Sequence, residues 1–308
     1  MVEGLAKELA QIKITKCVKI FDDENNRINA IAKLNDDRII LISKDHTVKI
    51  VDPLNNFNYD FTGKLENDNQ IHEIISLSNG HIVVSFSINL MEIYSFGKNE
   101  LKKEFSTTAT GNYTIMTALT KNRFASLGTE DKKIKIWKAD VPYSDTLIAE
   151  LAIEDKYNSR LCLTQLKDKE VLVYAGYDVY LWDLNDYKCI KVIKEFSPGA
   201  FFIQITEDIF ASNGNIINIK TGEKEEYFRE WFTNVYSGLL LSNGKMLFGT
   251  TYENIDHGWT RDSMNLYDFK LKDFSGNTVE DNLYCHPLSI DNHTFVTLNK
   301  NNLNVWKY

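Results

Sequence analysis

The sequence predicts an all-β chain, and three observations predict it. Aromatic residues are plentiful (15 Tyr, 17 Phe) while Pro is scarce (4), a balance that suits pleated, half-buried strands. One strand motif, an alternating stretch ending in a large apolar residue before a polar one, recurs along the whole chain. Upstream of each copy lie two apolar runs joined by turn residues, the mark of a hairpin. Outside the first ten residues, no segment of the needed length keeps a helical period.

The motif ends at Val51 in TVKIVDP, Tyr94 in LMEIYSF, Trp137 in KIKIWKA and Trp182 in DVYLWDL. It ends at Ile217 in NIINIKTGE, Tyr267 in SMNLYDF and Trp306 in LNVWKY. Successive separations are 43, 43, 45, 35, 50 and 39 residues, centred on the roughly 40–45 expected of four-stranded propeller blades. The copies therefore predict a closed β-propeller of four-stranded blades, seven in number, with the fifth the least regular.

Each blade is then read strand by strand. Its first two strands form hairpins. HEIISLSNGHIVVSFS bends at Asn79-Gly80 and GLLLSNGKMLFGTT at Asn243-Gly244; both residue types tolerate positive φ, so type I′ turns are expected. AKLNDDRIILIS, ALTKNRFASLG and SIDNHTFVTLN bend at Asp or Asn. The third strand is the motif itself, and a fourth, more polar strand follows most copies, as YKCIKVIKEF follows Trp182.

The last motif has nothing after it. Near the N-terminus, Lys16-Cys17-Val18-Lys19-Ile20 matches Lys188-Cys189-Ile190-Lys191-Val192 position for position, with only Val/Ile exchanges. The N-terminal segment is therefore expected to complete the last blade, closing the ring and removing an exposed sheet edge. Cys17 and Cys189 are expected to share one outer-strand position. The expected layout is an N-terminal extension over 1–11 and a single propeller domain over 12–308.

These features resemble the WD-repeat β-propeller family along nearly the whole chain. ISKDHTVKIVD follows that family's Ser-x-Asp-x-x-(Val/Ile)-x-(Ile/Leu)-Trp-Asp pattern, with Val51 in place of Trp. The Trp-Asp dipeptide occurs once, as Trp182-Asp183, and the Gly-His expected before each first strand is absent. Gly80-His81 lies in a hairpin turn instead, so the family's buried Asp–His–Ser network is not carried over. The resemblance implies a non-enzymatic interaction scaffold that binds a protein or peptide through loops on one propeller face, around the central channel.

Composition narrows the function further. A net charge of −8 without a basic cluster opposes nucleic-acid binding. Cys17, Cys162, Cys189 and Cys285 have no metal or redox spacing and are expected to be reduced thiols. A secretory signal and a membrane-length apolar run are absent from the sequence, so a cytoplasmic protein without membrane association is expected. Nucleophile-elbow, phosphate-loop and dinucleotide motifs are missing, no cofactor is expected, and the chain is read as not an enzyme. HEIIS at 72–76 begins like a zinc-protease helix but lacks the second His and falls on an expected strand.

Two tryptophans stand outside the repeat. Trp231 follows the outer strand of the fifth blade, and Trp259 lies in an insertion between the second and third strands of the sixth. Loops at these two places emerge on the same face in the WD-repeat architecture. Phe228, Arg229, Trp231, Tyr252, His257, Trp259 and Arg261 are thus expected on one rim, where aromatic and Arg residues anchor partners. The competing reading packs both tryptophans locally. As to function, the alternatives are a substrate-recruiting adaptor of ubiquitin-ligase type, a propeller hydrolase or lyase using His257, Asp256 and Asp262, and a quinone-cofactor propeller suggested by IKTGEKEEYFREW alone. The propeller is expected to be monomeric within a larger complex. A further insertion, KADVPYSDTLIAEL in the third blade, receives no role.

Overall fold

A computed structural model describes residues 13–20, 27–97, 100–108, 114–128, 133–140, 142–143, 146–154, 162–194, 202–212, 215–226, 234–254, 259–268, 273–280, 284–299 and 302–307, with the backbone alone at 13–16, 234–237, 249–286 and 299. β1 (Lys13–Lys19) precedes the first sheet of β2 (Ile28–Lys33), β3 (Ile39–Ser43), β4 (Thr47–Asp52) and β5 (Asn58–Lys64). The second sheet is β6 (Ile71–Ser76), β7 (Ile82–Phe86), β8 (Leu90–Phe96) and β9 (Leu101–Thr108). β10 (Thr114–Leu119), β11 (Arg123–Gly128), β12 (Lys133–Lys138) and β13 (Leu147–Ala152) form the third. β14 (Cys162–Gln165), β15 (Val171–Ala175), β16 (Val179–Asp183) and β17 (Lys188–Ile193) form the fourth.

The fifth is short: β18 (Ile203–Gln204), β19 (Ile209–Ser212), β20 (Asn215–Asn218) and β21 (Lys224–Glu226). The sixth comprises β22 (Asn234–Leu240), β23 (Lys245–Asn254), β24 (Trp259–Asp268) and β25 (Asp273–Glu280). β26 (Tyr284–Asp291), β27 (Thr294–Asn299) and β28 (Asn302–Lys307) join β1 in the last. Against the expected seven equivalent repeats, six sheets are full and the fifth is rudimentary.

The chain divides into two compact units, residues 25–196 and residues 1–24 with 197–308. In the first unit, which holds the first four sheets, β2 lies against β6, β6 against β10 and β10 against β14. Apolar clusters fill the spaces between these sheets. Ile42, Ile50 and Ile74 meet Phe86 and Tyr94; Val83, Met91 and Ile93 meet Phe124 and Trp137; Leu127, Ile134 and Leu163 meet Leu172 and Trp182. The large motif residue thus fills the gap toward the preceding sheet, as its recurrence requires. In the second unit, β18 lies against β22 and β22 against β26.

A bulge sits beside the motif residue in the full sheets. Trp137 faces Leu147 while Ile136 faces Ala149, leaving Ile148 as the extra residue. Asp60, Glu104 and Ile190 take that place in the first, second and fourth sheets. Bulges on outer strands twist the free edge and discourage pairing with other chains. The fifth sheet, without a shift between β20 and β21, lacks this device.

β1 pairs antiparallel with β28, so the first and last strands share one sheet. Its register differs from the expectation. Ile14 faces Trp306 and Cys17 faces Asn304, whereas Cys189 faces Trp182. The two cysteines therefore do not occupy one position; the matching sequences dock three residues apart, because the strand is set by what lies opposite the tryptophan. The hairpin turns also differ from type I′. Only Gly80 and Gly244 have positive φ, 84° and 81°; Asn79 and Asn243 do not. The Leu77 N–H donates to His81 O and the Gly80 N–H to Leu77 O, with the same pair of bonds at Leu241, Lys245 and Gly244. Each is a three-residue connection whose last residue, the glycine, is left-handed.

Candidate functional site

Of the seven expected rim residues, Phe228, Arg229, Trp231 and His257 lie outside the described residues. Tyr252, Trp259 and Arg261, expected in or beside a loop, are strand residues. Tyr252 pairs with Arg261 and Asn254 with Trp259 across β23 and β24. β22 reaches along β23 only to Thr251, and β25 reaches along β24 only to Ser263. The insertion thus lengthens the hairpin past the sheet, carrying Tyr252, Trp259 and Arg261 on a two-stranded end. Asp256 lies outside the described residues and Asp262 in β24, opposite Thr251.

In the unit 25–196, polar side chains tie one sheet to the next along the hairpin turns between first and second strands. Asn35 Nδ2 donates to Leu77 O at 2.7 Å. Ser78 Oγ donates to Asn122 Oδ1 at 2.6 Å. The Thr120 N–H donates to Gln165 Oε1 at 2.8 Å, and Thr120 Oγ1 donates to Glu170 Oε1 at 2.7 Å. Arg123, 7% exposed, adds a guanidinium bond to Glu170 and another, of 3.0 Å, to Leu184 O. Burial alone would raise the Glu170 carboxyl, yet hydrogen bonds from Thr120, Arg123 and Lys121 hold it below its ordinary range. Sequence reading missed this ladder, although Asn, Ser, Thr and Asp at successive bends are its visible trace.

The insertion without an assigned role bridges the second and third sheets. Tyr143 stacks on Phe105 with centroids 5.8 Å apart and donates its hydroxyl to His81 Nδ1 at 2.5 Å. Asn79 Nδ2 donates to Ala139 O at 2.7 Å. Burial lowers the His81 pKa, with Glu104 pulling the other way, which suits a neutral ring accepting at Nδ1.

The inner strand β6 carries the other missed residue. HEIIS is strand as expected, and a register shift between Ile71 and Glu73 re-aims the side chains there. Glu73 Oε2 accepts the Met116 N–H of β10 at 2.7 Å. Burial pushes the Glu73 carboxyl up to about 8, against the pull of that bond. Nothing in the sequence marks it, since its partner is 43 residues away. Among the described residues, no group of three or more His, Cys, Asp or Glu is placed to share a metal ion, and no helix is long and apolar enough to cross a membrane. Cys17, Cys162 and Cys189 are free thiols.

The motif tryptophans differ in their polar partners. Trp137 Nε1 donates to Ser126 Oγ at 2.8 Å and Trp306 Nε1 to Thr297 Oγ1 at 2.9 Å, each from the third strand to the second. The chain is similar to the WD40 beta propeller domain of Doa1, seen in a crystal structure. The TM-score is 0.65, with 13% identity over 96% of this chain and 97% of that one. The fold is a β-propeller. Its blades are the four-stranded antiparallel sheets described above. No family model matches the chain, and no curated protein does.

Proposed function

We propose that this propeller is a non-enzymatic scaffold that holds a protein or peptide partner on one face. The reading rests on the hairpin β23–β24, which outruns both flanking strands and bears Tyr252, Trp259 and Arg261 on its end. A two-stranded ribbon gains little stability by itself, so an aromatic and Arg-bearing ribbon of this kind suits contact with a partner. Phe228, Arg229, Trp231 and His257 complete the proposed patch. The protein then works in the cytoplasm as one component of a larger complex, away from nucleic acid and membranes.

Affinity capture from lysate of the source organism tests this reading, comparing wild type with Trp259→Ala/Arg261→Ala after circular dichroism has verified both folds. A partner held by wild type and weakened at least about ten-fold in the variant is expected. Equal capture by both proteins would remove the hairpin from the interface, and capture of no partner would end the scaffold reading.

A further inference from the structure

The interface between the second and third sheets changes character along its length. One end is apolar: Leu77, Val83 and Ile93 pack against Phe124 and Trp137. Strand alternation carries the same faces onward. On β7, Ser85 follows Val83 by two residues and so turns to the third sheet as Val83 does. Glu73 is the cross-strand partner of Ser85, placing the two side chains on one face with Cβ atoms about 5 Å apart. On β10, Met116 packs into the same interface, and Thr114, two residues earlier, shares its face. The bond from the Met116 N–H to Glu73 Oε2 closes the gap between the two strands. The apolar interface therefore ends in a polar cap made of Glu73, Ser85 and Thr114.

Two members of the cap are buried donors and acceptors with nothing to bond. Ser85 is 0% and Thr114 2% exposed, and neither hydroxyl has a hydrogen-bond partner among the described residues. Buried hydroxyls left in this state cost free energy that a bound group would recover. Glu73, by contrast, is only half-buried as a residue. β7 and β10 contribute no titratable side chain. On β8, Glu92 and Tyr94 alternate with Met91 and Ile93 and hydrogen-bond each other, on the side away from the cap. Among the described residues, His72 is adjacent in β6, and Lys135 of β12, opposite Ser126, lies on the face of the third sheet that Trp137 turns to the second.

We propose that this cap is a binding site for a primary ammonium group, whose three N–H donors would be taken by a Glu73 carboxylate oxygen, Ser85 Oγ and Thr114 Oγ1. An ammonium offers three donors and no acceptor, which complements three oxygens carrying one negative charge. The arriving cation holds Glu73 ionised, and the carboxyl proton leaves to solvent as the ion pair forms. The ammonium comes either from a lysine of the partner or from a small free amine; in the lysine case the site rests on the scaffold reading and defines one partner residue.

The test is a pH titration of protein labelled with ¹³C at the glutamate side-chain carboxyl. The Glu73 resonance is assigned by its loss in Glu73→Gln. Without ligand its midpoint lies well above the other glutamates. Saturating methylammonium is expected to move that midpoint down by about one pH unit or more, while tetramethylammonium and potassium at equal ionic strength leave it in place. Ser85→Ala and Thr114→Val are each expected to weaken methylammonium roughly five- to ten-fold, with the free-protein midpoint still visible as proof of fold. A capped Gly-Lys-Gly peptide that also moves the midpoint, with its Nε-acetyl form inert, identifies a partner lysine as the source; a response to methylammonium alone identifies a small amine. A midpoint unmoved by methylammonium, or moved equally by tetramethylammonium, overturns the site as a water-filled pocket. Because no lysate is involved, its failure is separate from failure of partner capture.

Discussion

The interface between the second and third sheets and that between the third and fourth are built on one repeat but handle polar groups in opposite ways. In the former, Trp137 satisfies its N–H on Ser126, and the buried charge at Glu73 is avoided by raising the carboxyl to about 8. In the latter, Trp182 Nε1 is buried without a hydrogen-bond partner among the described residues, while an ion pair joins a buried Arg123 to a half-buried Glu170, with hydroxyl and carbonyl partners around it. The difference follows from single residues. Trp182 faces Leu172, and the residue two further on is Tyr174; Trp137 faces Phe124, and two further on stands Ser126. Apolar packing sets the repeat, and each interface then solves its polar remainder locally. Variation in the repeat motif is tolerated because that remainder is small.

The largest break in this comparison should come from Arg123→Met. The guanidinium is held by Glu170, Leu184 O and Thr120 O, so its loss strands several acceptors beneath the third and fourth sheets. Breaking a buried pair from one side costs about 3–5 kcal/mol. Glu170 keeps Lys121 and partial exposure, which places the cost near the lower figure. Denaturant unfolding should show it, and Arg123→Met/Glu170→Met should recover part of the loss. A double variant no better than the single one would mean that the pair is not what holds this interface.

Glu73 sharpens the contrast through pH. Its pKa is raised in the folded protein, from an ordinary 4.5 to about 8. The unfolded chain therefore releases this proton first, and the stabilisation is complete below about 4.5. It declines as pH rises through that window and is gone once the folded carboxyl ionises near 8. Glu73→Gln, which cannot ionise, should gain on wild type as pH rises, by about 4 kcal/mol between pH 5 and pH 8.5. Parallel stability curves for the two proteins would refute a neutral Glu73. The Arg123–Glu170 pair predicts the opposite slope, because the Glu170 carboxyl is held low and its contribution is lost only in acid.

Legibility followed the range of the interaction. The repeat, the strand identity of HEIIS and the pairing of the N-terminal segment with the last motif were open to sequence reading, because alternation and turn residues are local. The register of β1 was not. Lys16–Ile20 and Lys188–Val192 match residue for residue, yet the opposing tryptophan selects Ile14 in one strand and Cys189 in the other. The turn at Asn79-Gly80 misled for a similar reason: the dipeptide permits type I′, but the bond from Leu77 to His81 selects the longer connection. Glu73, Arg123 and Tyr143 were invisible because each is defined by a partner on another sheet. Of the expected rim, only the placement of Tyr252, Trp259 and Arg261 can be compared, and there strand pairing outran the expected loop.

The finest distinction is between the tryptophans themselves. Both stack on a ring, Trp137 on Phe124 at 6.0 Å and Trp182 on Tyr180 at 6.5 Å, and both are nearly buried. Replacing either by Phe removes similar apolar area, so the shared packing cost cancels when the two variants are compared. What remains is the indole N–H. In Trp137→Phe the Ser126 hydroxyl loses its donor in a site 1% exposed, a penalty of about 1–3 kcal/mol. In Trp182→Phe no bond is lost and an unmet buried donor disappears, which favours the variant. Trp182→Phe should therefore be the more stable of the two by roughly 1–2 kcal/mol. Trp137→Phe/Ser126→Ala should regain most of that gap, since removing both partners of a buried bond is nearly neutral. Equal stability of the two Phe variants would place the value of these tryptophans in packing alone and make the Ser126 bond incidental.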